Sequence, residues 1–197
     1  GAIPSTLFER EFFGHRKGSF TGAVDDNQRL AAFIYRNLHR ITAIAPTMDT
    51  HQAVQIFHSV FLIDDRGQQP APYTLVSAAD VAAGRWRFNP DVGASLGLSA
   101  ADGQSFLRHY TQRLAEDEKY ILTVWPYHAM LGGIGHALVP TIEEAIFFHS
   151  ICRFARPDFQ VKGDNPLTEN YSVLRPEIMR GPAGENVGAK NLAFIQK

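Results

Sequence analysis

Apolar and polar positions along the chain change their period several times, and each change marks an element. Leu30, Phe33, Ile34, Leu38 and Ile41 recur at helical spacing with Arg29, Arg36 and Arg40 on the other side, which predicts an amphipathic helix over about 28–39. Ile41 to Met48 is a short, mostly apolar run that predicts a buried strand ending at Asp49. Tyr120 to Trp125, stopped by Pro126, predicts a second strand, and Asp158 to Lys162 a third. Helices are expected over 100–117, over 140–155, where Ile142, Ala145, Ile146, His149 and Ile151 share a register, and over 187–197. The stretch 50–98 carries several Pro and Gly residues and reads as an irregular insertion, with a partly open helix at 52–58 and a turn at Asp65-Arg66-Gly67. Residues 1–28 differ in character: a short helix at 4–13 capped by Ser5, then a loop at 14–28 built on Gly18, Gly22 and Asp25-Asp26-Asn27.

Strands separated by helices, with connections long enough for crossovers, predict an α/β fold in which a parallel sheet is covered by helices on both faces. Ligands of such sheets bind outside the carboxyl ends of the strands. The residues in those places are Asp49, His51 and His58 after the first strand, His128 after the second and Lys162 at the end of the third. Several imidazoles with one carboxylate suit zinc or iron, because both donor types bind borderline divalent ions. In an extended chain, Asp49 and His51 share a side. Lys162, between Val161 and Gly163, is placed for proton transfer or for stabilising a developing negative charge.

Composition narrows the function classes. Over 197 residues, 19 Lys+Arg against 20 Asp+Glu leave a formal net charge of −1, so no general field attracts nucleic acid or an anionic membrane. Arg10, Arg16 and Lys17 are offset by Glu9 and Glu11, and no nucleic-acid patch is expected. A single cysteine, Cys152, excludes an internal disulfide framework and fits a reducing compartment. With no apolar run of signal-peptide or membrane-span length, a cytoplasmic protein without membrane contact is expected.

Asp49-Thr50-His51, WPYHAMLGGIGHALVP and QVKGDNPLTENYSVL, in that order, resemble the isochorismatase-like cysteine hydrolases, in particular the nicotinamidase-related branch. The resemblance covers about 29–197 and implies an isochorismatase-like three-layer fold, incomplete in this chain. It also implies a small amide as substrate, a zinc or iron site at Asp49, His51, His58 and His128, a catalytic Lys162, and self-association. The family's nucleophilic Cys and first-strand Asp have no counterpart here, so amidase turnover is not expected. Cys152, in FFHSICRFA, falls mid-helix between the second and third strands and reads as a buried small hydrophobe.

AIPSTLFEREFFGHRKGSFTGAVDD resembles a stretch of the AAA+ domain of sigma-54-dependent transcription activators, whose GAFTGA loop touches the sigma factor; Gly18-Ser19-Phe20-Thr21-Gly22-Ala23 differs by one residue. The alternative function implied is a sigma-54 interaction fragment. No G-x-x-x-x-G-K-[ST] phosphate loop occurs in these residues, so ATPase activity is not expected. The two resemblances meet near Asn27–Arg29, which predicts a loop-rich appendage over 1–28 and a hydrolase-like domain over 29–197.

The remaining candidates read as structural. His136 and His149 fall within helical patterns, Trp86 and Trp125 suit packing, and Asn170, Tyr171 and Ser172 suit a solvated loop or a pocket wall. Gly132-Gly133 is either a tight turn or a close backbone approach to a ligand.

Overall fold

The structure, a computed structural model, describes residues 19–117 and 119–196, with side chains from Val24 onward. The expected helix at 4–13 and the charges at Arg10, Arg16 and Lys17 lie outside the described residues. Helix α1 (Ser19–Arg36) is followed by β1 (Thr47–Asp49), β2 (Leu62–Ile63), β3 (Leu75–Val76), α2 (Ala78–Ala82), β4 (Arg87–Phe88), α3 (Gly93–Leu96) and α4 (Ala100–Glu116). Then come β5 (Leu122–Thr123), α5 (Pro140–Arg153), β6 (Gln160–Lys162) and α6 (Leu192–Ile195).

The periodic segments form as their patterns dictate. In α4, Phe106, Leu107, Tyr110 and Leu114 line one buried face, and the Ser99 hydroxyl caps the first turn by accepting from the Asp102 amide at 3.1 Å. In α1, Ala31 and Ile34 pack on Ala145 and Ile146 of α5, closing a two-helix layer with Leu38, Ile44, Leu138 and Ile142 around it. Helix α1 begins nine residues before the expected start at 28. Residues 19–28, expected as loop, are helical, and the helix crosses the expected 28/29 domain boundary without a break. The terminal helix is confined to Leu192–Ile195.

The strands are shorter than their apolar runs. Of 41–49, only Thr47–Asp49 form a strand, since Pro46 has no amide to donate. This strand pairs in parallel with β6, Thr47 opposite Gln160, Met48 opposite Val161 and Asp49 opposite Lys162. Two further parallel bridges, His51 with Met130 and His58 with Trp125, bring the 125–131 segment alongside. The second expected strand is reduced to Leu122–Thr123, and it pairs antiparallel with β3. Strands β2 and β4 also pair antiparallel. Among the described residues the sheets are two-stranded, in place of one continuous parallel sheet under helices.

The expected irregular insertion is where much of the main core lies. Ile56, Phe57, Phe61, Leu62, Val76, Val81, Phe88 and Val92 all come from 50–98 and pack with Phe106, Leu107, Tyr110, Leu114, Leu122, Val124 and Ile178. A helix at 52–58 does not form. Instead the Gln52 amide donates to the Gln55 side chain and the His58 amide closes a turn on the Gln55 carbonyl. The ring of Phe88 lies so close to α4 that a Cβ at Gly103 would sit 2.3 Å from it, which is why the helix carries glycine there.

Candidate functional site

The register of β1 against β6 sets the site. Parallel pairing of Asp49 with Lys162 puts a carboxylate and an ammonium side by side at the carboxyl ends of both strands, and the Lys162 ammonium donates to Asp49 Oδ1. It also donates to the Asn170 carbonyl at 3.3 Å. The lysine side chain is largely buried and Asp49 half-exposed. A cavity of about 190 Å³ opens beside them, lined by Asp49, His51, Phe57, Trp125, His128 and the 169–171 segment. Lys162 meets this cavity through Asp49 and is not itself in its wall.

The three expected imidazoles lie close together, with ring centroids 4.8 Å apart for His51 and His128 and 6.2 Å for His51 and His58. Each turns Nδ1 onto a backbone carbonyl: His51 to Gly163 at 3.0 Å, His58 to Ala53 at 3.2 Å and His128 to Pro126 at 2.8 Å. A carbonyl only accepts, so Nδ1 carries a proton in all three, and Nε2 is the nitrogen free to act as an acceptor in the neutral ring. This is the arrangement that outer partners impose on metal-binding histidines. Burial holds the His51 ring below the usual histidine range, with the neighbouring His128 acting in the same direction. Burial also takes His58 down to about 4, so both rings are neutral at pH 7. His58 Nε2 is buried with no hydrogen-bond partner, an orphaned acceptor that a Lewis acid would satisfy.

Imidazole nitrogens are a donor type that borderline divalent ions accept, but among the described residues the geometry does not gather them into a site. Asp49, expected as a fourth ligand, instead spends its carboxylate on Lys162. As the side chains stand, no three His, Cys, Asp or Glu groups among the described residues converge on a common centre.

Of the other candidates, Cys152 and His136 depart from their expected places, while His149, Gly132-Gly133, Trp125, Asn170 and Tyr171 fall within theirs. Cys152 is exposed in the last turn of α5 and is not a buried hydrophobe, because α5 faces its partner helix with Ala145, Ile146 and His149. His136 lies outside any helix, bonded through Nε2 to the Thr50 hydroxyl at 2.8 Å, while His149 is buried in α5 against the Ile41 carbonyl. Gly132-Gly133 forms a tight turn in which the Gly133 amide donates to Met130 at 2.8 Å. Trp125, like Trp86, packs against the main core as expected, and Trp125 also walls the pocket together with Asn170 and Tyr171. Phe57 and Glu169 were missed: Phe57 lies in the segment read as irregular, and a glutamate in a polar loop gives no sign of burial.

Comparison with known proteins finds similarity at the N-terminal end. Residues 1–34 match the family described as Sigma-54 interaction domain. The chain is 73% identical over 30 residues to the response regulator protein PilR of Pseudomonas aeruginosa, covering 15% of this chain and 7% of that protein. The amino-terminal segment thus resembles a sigma-54 activator. The chain spans a small fraction of this relative's length, and no solved structure matches it. Neither match bears on the isochorismatase-like motifs. Of the matched residues, 19–34 lie in α1, where Ala31 and Ile34 are buried against α5. No helix among the described residues is long and apolar enough to cross a membrane.

Proposed function

We propose that residues 29–197 are a small-amide-binding body of isochorismatase-like, nicotinamidase-related type that takes up a divalent metal, zinc or iron. The observation that carries this reading is the trio of tautomer-fixed imidazoles beside the Asp49–Lys162 pair, at the carboxyl ends of two parallel strands. In such a site His51, His58 and His128 would hold the metal, which when bound supplies Lewis acidity toward a carbonyl oxygen or a water. Phe57, Trp125 and Tyr171 give the cavity flat aromatic walls, and its volume suits a ligand of about one ring. Lys162 is held by Asp49 and the Asn170 carbonyl, both residues of the pocket wall. The only thiol, Cys152, lies on α5 outside the cavity wall, so binding rather than acyl transfer is what these residues support.

Calorimetry with zinc on the purified chain tests this reading. Stoichiometric binding is expected, with His58→Ala and His128→Ala each weakening it by about 100-fold or more, roughly 3 kcal/mol. Binding that survives both substitutions would place the ion elsewhere, and no binding would remove the metal from the proposal.

A second reading is that the 1–34 segment contacts a sigma factor, and the comparisons back this one rather than the first. Without a phosphate loop in these residues, contact and not ATP-driven remodelling is the function proposed. Capture of purified sigma-54 by the intact chain, lost on Thr21→Ala, is the expected result. Equal capture by the variant would show that the GSFTGA sequence is not the contact.

A further inference from the structure

Glu169 is almost fully buried yet belongs to the cavity wall. The Tyr110 hydroxyl donates to its Oε2 at 2.9 Å and the Tyr171 hydroxyl to its Oε1 at 3.2 Å. Tyr171 in turn accepts from Trp125 Nε1 at 3.2 Å. Trp125, Tyr171 and Glu169 therefore form one hydrogen-bonded line, and all three line the pocket.

Among the described residues no cation pairs with this carboxyl: Lys119 is bonded to Glu177, and Lys162 to Asp49. The groups around it are Tyr110 from α4, Tyr120 before β5, Tyr171 on its own segment and Glu177, whose amide donates to the Glu169 carbonyl at 2.9 Å. The Tyr120 hydroxyl is buried beside it and makes no hydrogen bond of good geometry. Asp49, His51 and His128 line the same cavity.

We propose that Glu169 is a specificity-determining acid whose proton decides whether the Tyr171 hydroxyl points inward or offers its hydrogen to a carbonyl-bearing ligand in the pocket. When Glu169 is ionised, Tyr171 must donate to it and shows the cavity only an oxygen. When Glu169 is protonated, its own O–H donates to the Tyr171 oxygen, which still accepts from Trp125, and the phenolic hydrogen is released toward the cavity. Tyr110 continues to donate to the second carboxyl oxygen in both states. No covalent bond changes, and the proton comes from solvent. Burial, aided by the charge of Glu177, raises the Glu169 carboxyl to about 7, so both states are populated near neutrality. The ligand class, a small aromatic carboxamide, rests on the proposed amide-binding function. The relay itself rests on the hydrogen-bond line and on the burial of Glu169.

The test uses the full chain with Trp86→Phe, which leaves Trp125 as the sole indole emitter. Without ligand, Trp125 emission is expected to titrate with a midpoint near pH 7, to lose that transition in Glu169→Gln, and to lose most of it in Tyr171→Phe. With benzamide as probe, affinity is expected to fall about tenfold from pH 6 to pH 8, following the protonated fraction. Glu169→Gln, whose amide donates permanently to Tyr171, should keep the tight affinity throughout. Tyr171→Phe should bind weakly at every pH. An emission profile flat near neutrality, or a transition that survives Glu169→Gln and Tyr171→Phe, overturns the relay. Titration of Trp125 without benzamide binding at any pH supports the relay and removes the amide reading.

Discussion

Phe61→Ala is expected to destabilise the protein by about 3–5 kcal/mol, out of a total stability on the order of 5–15 kcal/mol. The ring is fully buried and meets Phe88 edge to face at 5.2 Å. Its backbone closes the turn after His58 and receives the Asn89 amide at 2.9 Å. Truncation would open a cavity between β2 and β4, which are only two residues long and pair Leu62 with Phe88. So short a ladder has few hydrogen bonds with which to hold its shape around a void, and the surrounding side chains would have to collapse into it. Urea melts of the two proteins measure the difference. A loss below about 1 kcal/mol would mean that the 50–98 region is not the core the structure makes it.

That region also shows where the sequence is readable and where it is not. Helix α4 and the buried side of α5 carry a 3.6-residue apolar period over several turns, and their bounds fall within a residue or two of those expected. The same is true of the turn after Asp64, where the Gly67 amide returns to the Asp64 carbonyl. Between Thr50 and Leu98 the elements are two to five residues long, too short for any period to register. Phe57, Phe61, Leu62, Val76 and Phe88 therefore look scattered along the chain, though they meet in space. Helix α1 misled in the opposite sense. Gly22 and Asp25-Asp26 are turn chemistry locally, but Ala31 and Ile34 are anchored on α5, and the helix continues N-terminally from that anchor.

For the site, residue type and strand-end position were enough to nominate Asp49, His51, His58, His128 and Lys162, and the folded chain sets all five around one end of the β1–β6 pair. Their partnerships depend on register and on side-chain direction, which the sequence does not contain. Asp49 faces Lys162 because parallel pairing aligns them, so its carboxylate is engaged by the ammonium while it lines the cavity with His51 and His128. Glu169 was invisible for a related reason: its partners Tyr110 and Tyr171 come from a core helix and from its own loop, and only the fold brings them to one carboxyl.

Gly163→Ala is expected to disable the site without removing any of its functional groups. Gly163 follows Lys162 at the end of β6 with φ +84°, and a Cβ there would lie 2.7 Å from His51 Cε1 and 3.1 Å from its Nδ1. Its carbonyl accepts from both His51 Nδ1 at 3.0 Å and Gln55 Nε2 at 2.5 Å, so it fixes the ring's tautomer as well as its place. The left-handed backbone costs an added side chain about 1–2 kcal/mol. The methyl must in addition push the imidazole away or shift the Thr50–His51 backbone, for a total of about 2–4 kcal/mol. Gly67→Ala separates the two terms, since Gly67 has a similar φ of +77° and a Cβ there would meet nothing within 4 Å. Gly67→Ala should show the backbone penalty alone and leave the proposed zinc binding as it is in the parent. Gly163→Ala should melt lower still and lose zinc affinity by at least about tenfold, because the outer partner that holds His51 is displaced. Equal melting temperatures and equal zinc affinities for the two variants would show that Gly163 does not place His51.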